Sequence, residues 1–127
     1  MYSTMPDLAR FMSALFAGGL GSGGAVVQPA TLEAMWRPQF AARGARRGAG
    51  IGFAVSDLDG RRAVSHGGAI YGFATQLTAL PDDKLGVAVS ASKDGMNALT
   101  DRVAEEALRL MLAARAGRPL SAPNTTA

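Results

Sequence analysis

The chain has 127 residues, 48% hydrophobic and 18% charged, so it is long enough to bury a core and too apolar for general disorder. With no cysteine and a single histidine, it offers no disulfide framework, no thiolate metal site and no histidine cluster, and no cofactor is expected. The net charge of +3 permits contact with anions without demanding nucleic acid. Arg37, Arg43, Arg46 and Arg47 surround Ala- and Gly-rich sequence and read as a solvated basic loop, so no nucleic-acid partner is expected. The amino terminus lacks the basic start and apolar core of a signal peptide, and no apolar run approaches the ~20 residues of a membrane span.

The first element starts at Thr4, with Asp7 as its capping partner and Pro6 tolerated in the first turn. Leu8, Phe11, Met12, Leu15 and Phe16 form the stripe of an amphipathic helix that Gly18 and Gly19 end. Its polar face suggests no chemistry. Gly19, Gly21 and Gly24 match a dinucleotide-binding spacing, but a helix precedes them and Ala25-Val26-Val27 follows, so a flexible connector is the preferred reading. Pro29 opens a short helix that buries Leu32, Met35 and Trp36, and Pro38 closes it. Residues 39–49 have no period and read as an exposed loop.

Alternation of Ile51, Phe53 and Val55 with small residues predicts a strand, and Asp57-Leu58-Asp59-Gly60 a turn that returns the chain as a second strand from Arg61 to His66. Phe73–Leu80 and Lys84–Ser90 predict a second hairpin around Pro81-Asp82-Asp83. The last strand has a bulky face (Leu85, Val87, Val89) and a small one (Gly86, Ala88, Ser90), and the small face suggests close helix packing. The final helix, with Asn97 as its cap, is expected to lay Leu99, Val103, Ala107, Leu110 and Met111 on the core and to pair Glu105 with Arg109. Residues 117–127 read as a flexible tail in which Asn124-Thr125-Thr126 is a formal glycosylation acceptor. The expected fold is α+β: two helices, an antiparallel sheet of about four strands, and a carboxy-terminal helix packed on it.

The stretch Ser65-His66-Gly67-Gly68-Ala69-Ile70-Tyr71-Gly72-Phe73 holds the only histidine at the end of an alternating run. Gly67 and Gly68 then omit two side chains in succession, which lets a ligand approach the backbone and leaves N–H groups free to donate. Taken alone, His66 reads as a hydrogen-bonded histidine at a strand end. This stretch, followed by Leu80-Pro81-Asp82-Asp83-Lys84-Leu85-Gly86-Val87, resembles the carboxy-terminal part of the serine β-lactamase-related family, which includes class C β-lactamases, DD-peptidases and related esterases. Tyr2-Ser3-Thr4-Met5-Pro6-Asp7-Leu8 resembles the helix that members carry upstream, so the resemblance runs from Tyr2 to about Leu112 and residues 1–116 form the expected domain portion.

The resemblance implies a partial β-lactamase/transpeptidase-like fold and acyl-transfer chemistry with a covalent serine intermediate. It implies that His66-Gly67-Gly68 borders the cleft, with His66 contacting substrate or the proton-transfer network. The Ala69 N–H would then donate to an oxyanion, and Gly67, Gly68 and Tyr71 would line or rim the substrate site. The nucleophile is missing. Only Ser90-Ala91-Ser92-Lys93 has the Ser-x-x-Lys spacing, and alternation at a strand end would send its two side chains to opposite faces. The expectation is a hydrolase fragment, inactive alone, whose partners in the full protein are a small-molecule or peptide substrate and a missing amino-terminal segment. The sheet should show an unpaired edge. The alternative is a non-catalytic module that completes its sheet with a partner chain. Compartment stays open; the resemblance allows a periplasmic or secreted protein.

Overall fold

Thr4 caps the first helix, α1 (Met5–Phe16), by accepting a hydrogen bond from the Asp7 N–H at 3.3 Å, while its own hydroxyl donates to the Asp7 carboxylate at 2.8 Å. This is the capping expected from the sequence. The computed structural model describes residues 2–120; the tail from Ser121 to Ala127, with its glycosylation acceptor, lies outside the described residues. After α1 the glycine-rich connector forms a small hairpin of β1 (Leu20–Gly21) and β2 (Gly24–Ala25). The second helix, α2 (Pro29–Met35), follows with proline in its first turn and ends at the buried Trp36.

Five antiparallel strands then form the main sheet in sequence order: β3 (Gly48–Ala49), β4 (Ala54–Leu58), β5 (Arg61–Ile70), β6 (Phe73–Leu80) and β7 (Leu85–Ala91). The last helix is α3 (Asn97–Arg115). The α+β class agrees with the sequence reading, as does the order of the three helices and the main sheet; the β1–β2 hairpin stands where a flexible connector was expected, and three further details differ. The expected loop over 39–49 contributes β3, which makes five strands instead of four. The strand expected over Ile51–Val55 lies later, at Ala54–Leu58, because the tight turn is Asp59-Gly60 alone, both residues having positive φ. β5 does not stop at His66 but runs through both glycines to Ile70, where pairing with β6 overrides their weak strand preference.

Helices cover both faces of the sheet. On one face Leu15 of α1, Leu32 of α2 and Trp36 pack with Phe53, Val64 and Ala79. On the other, Leu108 and Leu112 of α3 pack with Leu58, Ala63, Leu80 and Leu85. This reverses the expected match of α3 to the small face of β7. α3 takes the bulky face, and α1 takes the small one, where a Cβ at Gly86 would stand 2.6 Å from Met12 Sδ. α3 is also turned by one position: Thr100, Ala104, Leu108 and Leu112 are buried, whereas Leu99, Val103 and Met111 are exposed. Nor does Asn97 cap it, since Met96 occupies that position. The Glu105–Arg109 pair is present at 3.3 Å.

Arg62 ties α2 to the sheet. It donates to Glu33 at 2.7 and 3.2 Å and to Asp82 at 2.9 Å, and its guanidinium lies 5.3 Å from the Trp36 ring centroid. The Arg62 hydrogen bond, before any longer-range charge effect, holds the Glu33 carboxyl below its usual range. Among the described residues β7 has no strand on its outer side, so the sheet has the unpaired edge expected from the sequence. Among the described residues, no helix is long and apolar enough to cross a membrane.

Candidate active-site wall

β5 is two-sided only for its first half. Its pairing with β4 ends at Ala54 opposite Ser65, whereas its pairing with β6 continues from Val64 to Ile70 opposite Phe73. From His66 onward the outer side of the strand therefore lacks a strand partner among the described residues. Which backbone groups face that side follows from the turns. Residues flanking a two-residue hairpin turn exchange hydrogen bonds, and the pattern alternates along the strand. The Asp59-Gly60 turn directs the backbone groups of Arg61, Ala63 and Ser65 toward β4, and the Tyr71-Gly72 turn directs those of Ile70, Gly68 and His66 toward β6. The two turns agree. The N–H groups of Gly67 and Ala69 point to the open side.

Side chains alternate across the other axis. His66 and Gly68 share the face of Val64, on which α1 and α2 pack, while Ser65, Gly67 and Ala69 share the α3 face. Between β5 and the start of α1 lies a groove of about 640 Å³. His66, Gly67 and Gly68 form one side of it, the α1 end supplies Asp7, Leu8 and Phe11, and Phe53 and Leu77 contribute to the lining. The Thr4 hydroxyl first, and then Arg10, hold the Asp7 carboxyl below its usual range, so it is ionised at neutral pH. An apolar groove with a few polar groups at its edge is the usual form of a small-molecule site.

Local packing explains both glycines. A Cβ at position 68 would stand 2.5 Å from Thr75 Oγ1, and one at 67 would stand 3.0 Å from Gln76 Oε1. Gln76 is itself fixed, donating to Thr78 Oγ1 and Asp101 Oδ1, each at 3.1 Å. The hairpin tip is held from the β7–α3 connection: Asp94 accepts from the Gly72 N–H, and Asn97 Nδ2 donates to the Gly68 carbonyl at 3.0 Å.

Of the residues singled out in the sequence, His66, Gly67 and Gly68 come together in the groove. Ala69 is exposed one step farther along β5, and Tyr71 stands at the hairpin tip, 96% exposed, outside the groove lining. Ser90 lies at the end of β7 opposite Thr75, with β6 between it and β5, hence roughly 9–10 Å across the sheet from Gly68. Lys93 follows in the connection after the strand. The contribution of α1 was not legible in the sequence, because it arises where residues some 60 positions apart in the chain meet. The Thr4–Asp7 cap and Pro6 marked where that helix begins, not what it would face. Among the described residues, no three His, Cys, Asp or Glu side chains gather as a metal-ligand group.

A five-stranded antiparallel sheet between two helical layers, with a His-Gly-Gly strand bordering a groove, defines an α+β domain of the β-lactamase and penicillin-binding protein type. Residues 1–111 match the Beta-lactamase family, and the chain belongs to it. Among solved structures it is similar to an octameric penicillin-binding protein homologue from Pyrococcus abyssi, with a TM-score of 0.70 and 21% identity. That match covers 93% of this chain and 25% of the other, so the chain corresponds to a quarter of its structural neighbour. Comparison with curated proteins finds no match.

Proposed function

We propose that the chain forms one wall of the active site of a serine hydrolase and that the nucleophile comes from a segment outside these residues. The observation that carries this reading is the open side of β5 beyond Ser65, beside a groove lined by the only histidine. An outward N–H at Ala69 suits an oxyanion donor, since a preformed donor gains strength where charge develops in the transition state. Removing one such donor typically raises the barrier by ~2.7–4 kcal/mol. His66 would contact the substrate or the proton-transfer network, Gly67 and Gly68 would let the acyl group approach the backbone, and Tyr71 would rim the cleft. The substrate would be a β-lactam, a D-amino-acid peptide or an ester, attacked at its carbonyl and released through an acyl-enzyme.

The chain alone is then expected to turn over no substrate. Intact mass after incubation with a serine-reactive fluorophosphonate tests this, beside a Ser90→Ala control. No adduct is expected. A stoichiometric adduct that disappears in the control would make Ser90 the nucleophile and overturn the proposal. When the chain is combined with an amino-terminal family segment carrying Ser-x-x-Lys, the adduct should form on that segment's serine and hydrolysis should depend on His66.

A second reading rests on the outer edge of β7, which no strand among the described residues pairs along Leu85–Ala91: a non-catalytic module that completes its sheet with a partner chain. Association with that segment, with no adduct and no hydrolysis, would favour the module.

A further inference from the structure

We infer that Asn97 is a positioning residue for the Gly68–Ala69 peptide unit. The inference takes its purpose from the proposed oxyanion role of Ala69 and its structural content from the hydrogen bonds themselves. A peptide unit is planar and trans, so its C=O and N–H point in opposite directions. The Gly68 carbonyl and the Ala69 N–H belong to one such unit. Whatever fixes the carbonyl aims the N–H.

The β6 ladder holds the Gly68 carbonyl from one direction, through its pairing with Thr75, and Asn97 adds a second. The peptide unit follows two successive glycines, whose backbones have the widest conformational freedom, and it lies on a stretch of β5 with a neighbouring strand on one side only. Asn97 Nδ2 reaches the Gly68 oxygen at 3.0 Å from the first residue of α3, while Thr75 Oγ1 lies 3.5 Å from the same oxygen. The base on which Asn97 stands is firm: Thr100 is 1% exposed and donates to the Asn97 carbonyl at 3.0 Å, and Asp101 of the next position accepts from Gln76 at 3.1 Å. Asp94, in the same connection, holds the Gly72 N–H at the hairpin tip.

The choice of residue points the same way. An asparagine at a helix start ordinarily caps it, yet here Met96 is the cap residue and the Asn97 amide donates across 29 positions of sequence to the strand. An aspartate would suit the positive helix end better, but an ionised carboxylate has no N–H to give the carbonyl. A hydrogen bond accepted by the carbonyl also polarises its peptide unit and makes the N–H a stronger donor. Asn97 therefore acts on the site through Ala69 and touches no reacting atom.

The test is nitrogen-15 relaxation of the Ala69 amide in the parent chain, Asn97→Asp and Asn97→Ala. The Asp variant matters because it retains a side chain favoured at a helix amino terminus, so α3 should stay folded. The expected result is an Ala69 order parameter near the rigid value of about 0.85 in the parent and clearly lower in both variants, with Val64 and Leu108 unchanged. An equally ordered Ala69 in either variant, a disordered one in the parent, or a loss spread through β5 and α3 would overturn the inference. Because no hydrolysis is measured, failure of the serine-hydrolase proposal would leave this result standing, and failure here would leave the labelling result standing.

Discussion

A side chain at Gly86 would run into α1, and Gly86→Ala probes that approach directly. A Cβ there would stand 2.6 Å from Met12 Sδ and 3.0 Å from Phe16 Cζ. Forcing an extra carbon into a packed core costs ~1–3 kcal/mol. Alanine also restricts the unfolded chain, which returns ~0.4–1 kcal/mol at a position such as this one, outside the left-handed region. Crowding wins, and the net loss should be on the order of 1–2 kcal/mol. Met12→Ala alone, at a side chain only 6% exposed, should cost ~2–5 kcal/mol. Since Met12→Ala also removes what the new Cβ meets, the double variant should lose less than the sum, with a coupling of ~1–2 kcal/mol. Urea titration followed by the fluorescence of Trp36, the only tryptophan and buried in the core, reads all four chains. A shift in midpoint at constant slope would report stability alone. If Gly86→Ala is neutral or stabilising, or if the two changes add within ~0.5 kcal/mol, α1 does not pack on β7 in this way.

Gly68→Ala should destabilise the β5–β6 hairpin through contact with Thr75 Oγ1, and Thr75→Ala should relieve most of that loss in the same titration. Leu108→Ala, at a fully buried position on the α3 face, should cost ~2–5 kcal/mol and lower the thermal midpoint accordingly. Glu33 has a depressed pKa in the folded chain because Arg62 donates to it. Its contribution is present above the unfolded pKa and is lost as pH falls through the folded one, so Glu33→Gln should flatten the acid limb of a stability-versus-pH curve. An unchanged acid limb would remove Glu33 from that account.

What could be read in the sequence was local. The Thr4–Asp7 cap, the proline start of α2 and the Glu105–Arg109 pair each depend on neighbours within a few positions, and each is present, while the turn expected over Asp57–Gly60 is there but shortened to Asp59-Gly60. The facing of α3 was misjudged for a physical reason. The helix carries two adjacent apolar stripes, Leu99-Val103-Met111 and Ala104-Leu108-Leu112, about one residue apart in rotation. Periodicity ranks both alike; the shape of the sheet face decides between them. The glycines at 67 and 68 likewise looked like the end of a strand, and pairing with β6 carried the strand past them. The His-Gly-Gly side of the groove was legible because it is contiguous. The α1 side was not, because it comes from a helix far away in the chain.

The length of β5 has its own consequence. Ten residues separate the Asp59-Gly60 turn from the Tyr71-Gly72 turn, an even number, so the two hairpins can close on opposite sides of the strand without a bulge. Odd-numbered amides then face away from β6. One residue inserted between the turns would set them against each other over which way the amides face, so the strand would have to absorb it as a bulge or give up one of the two-residue turns. The outward direction of the Gly67 and Ala69 N–H groups is thus compatible with both turns only because the number of residues between them is even.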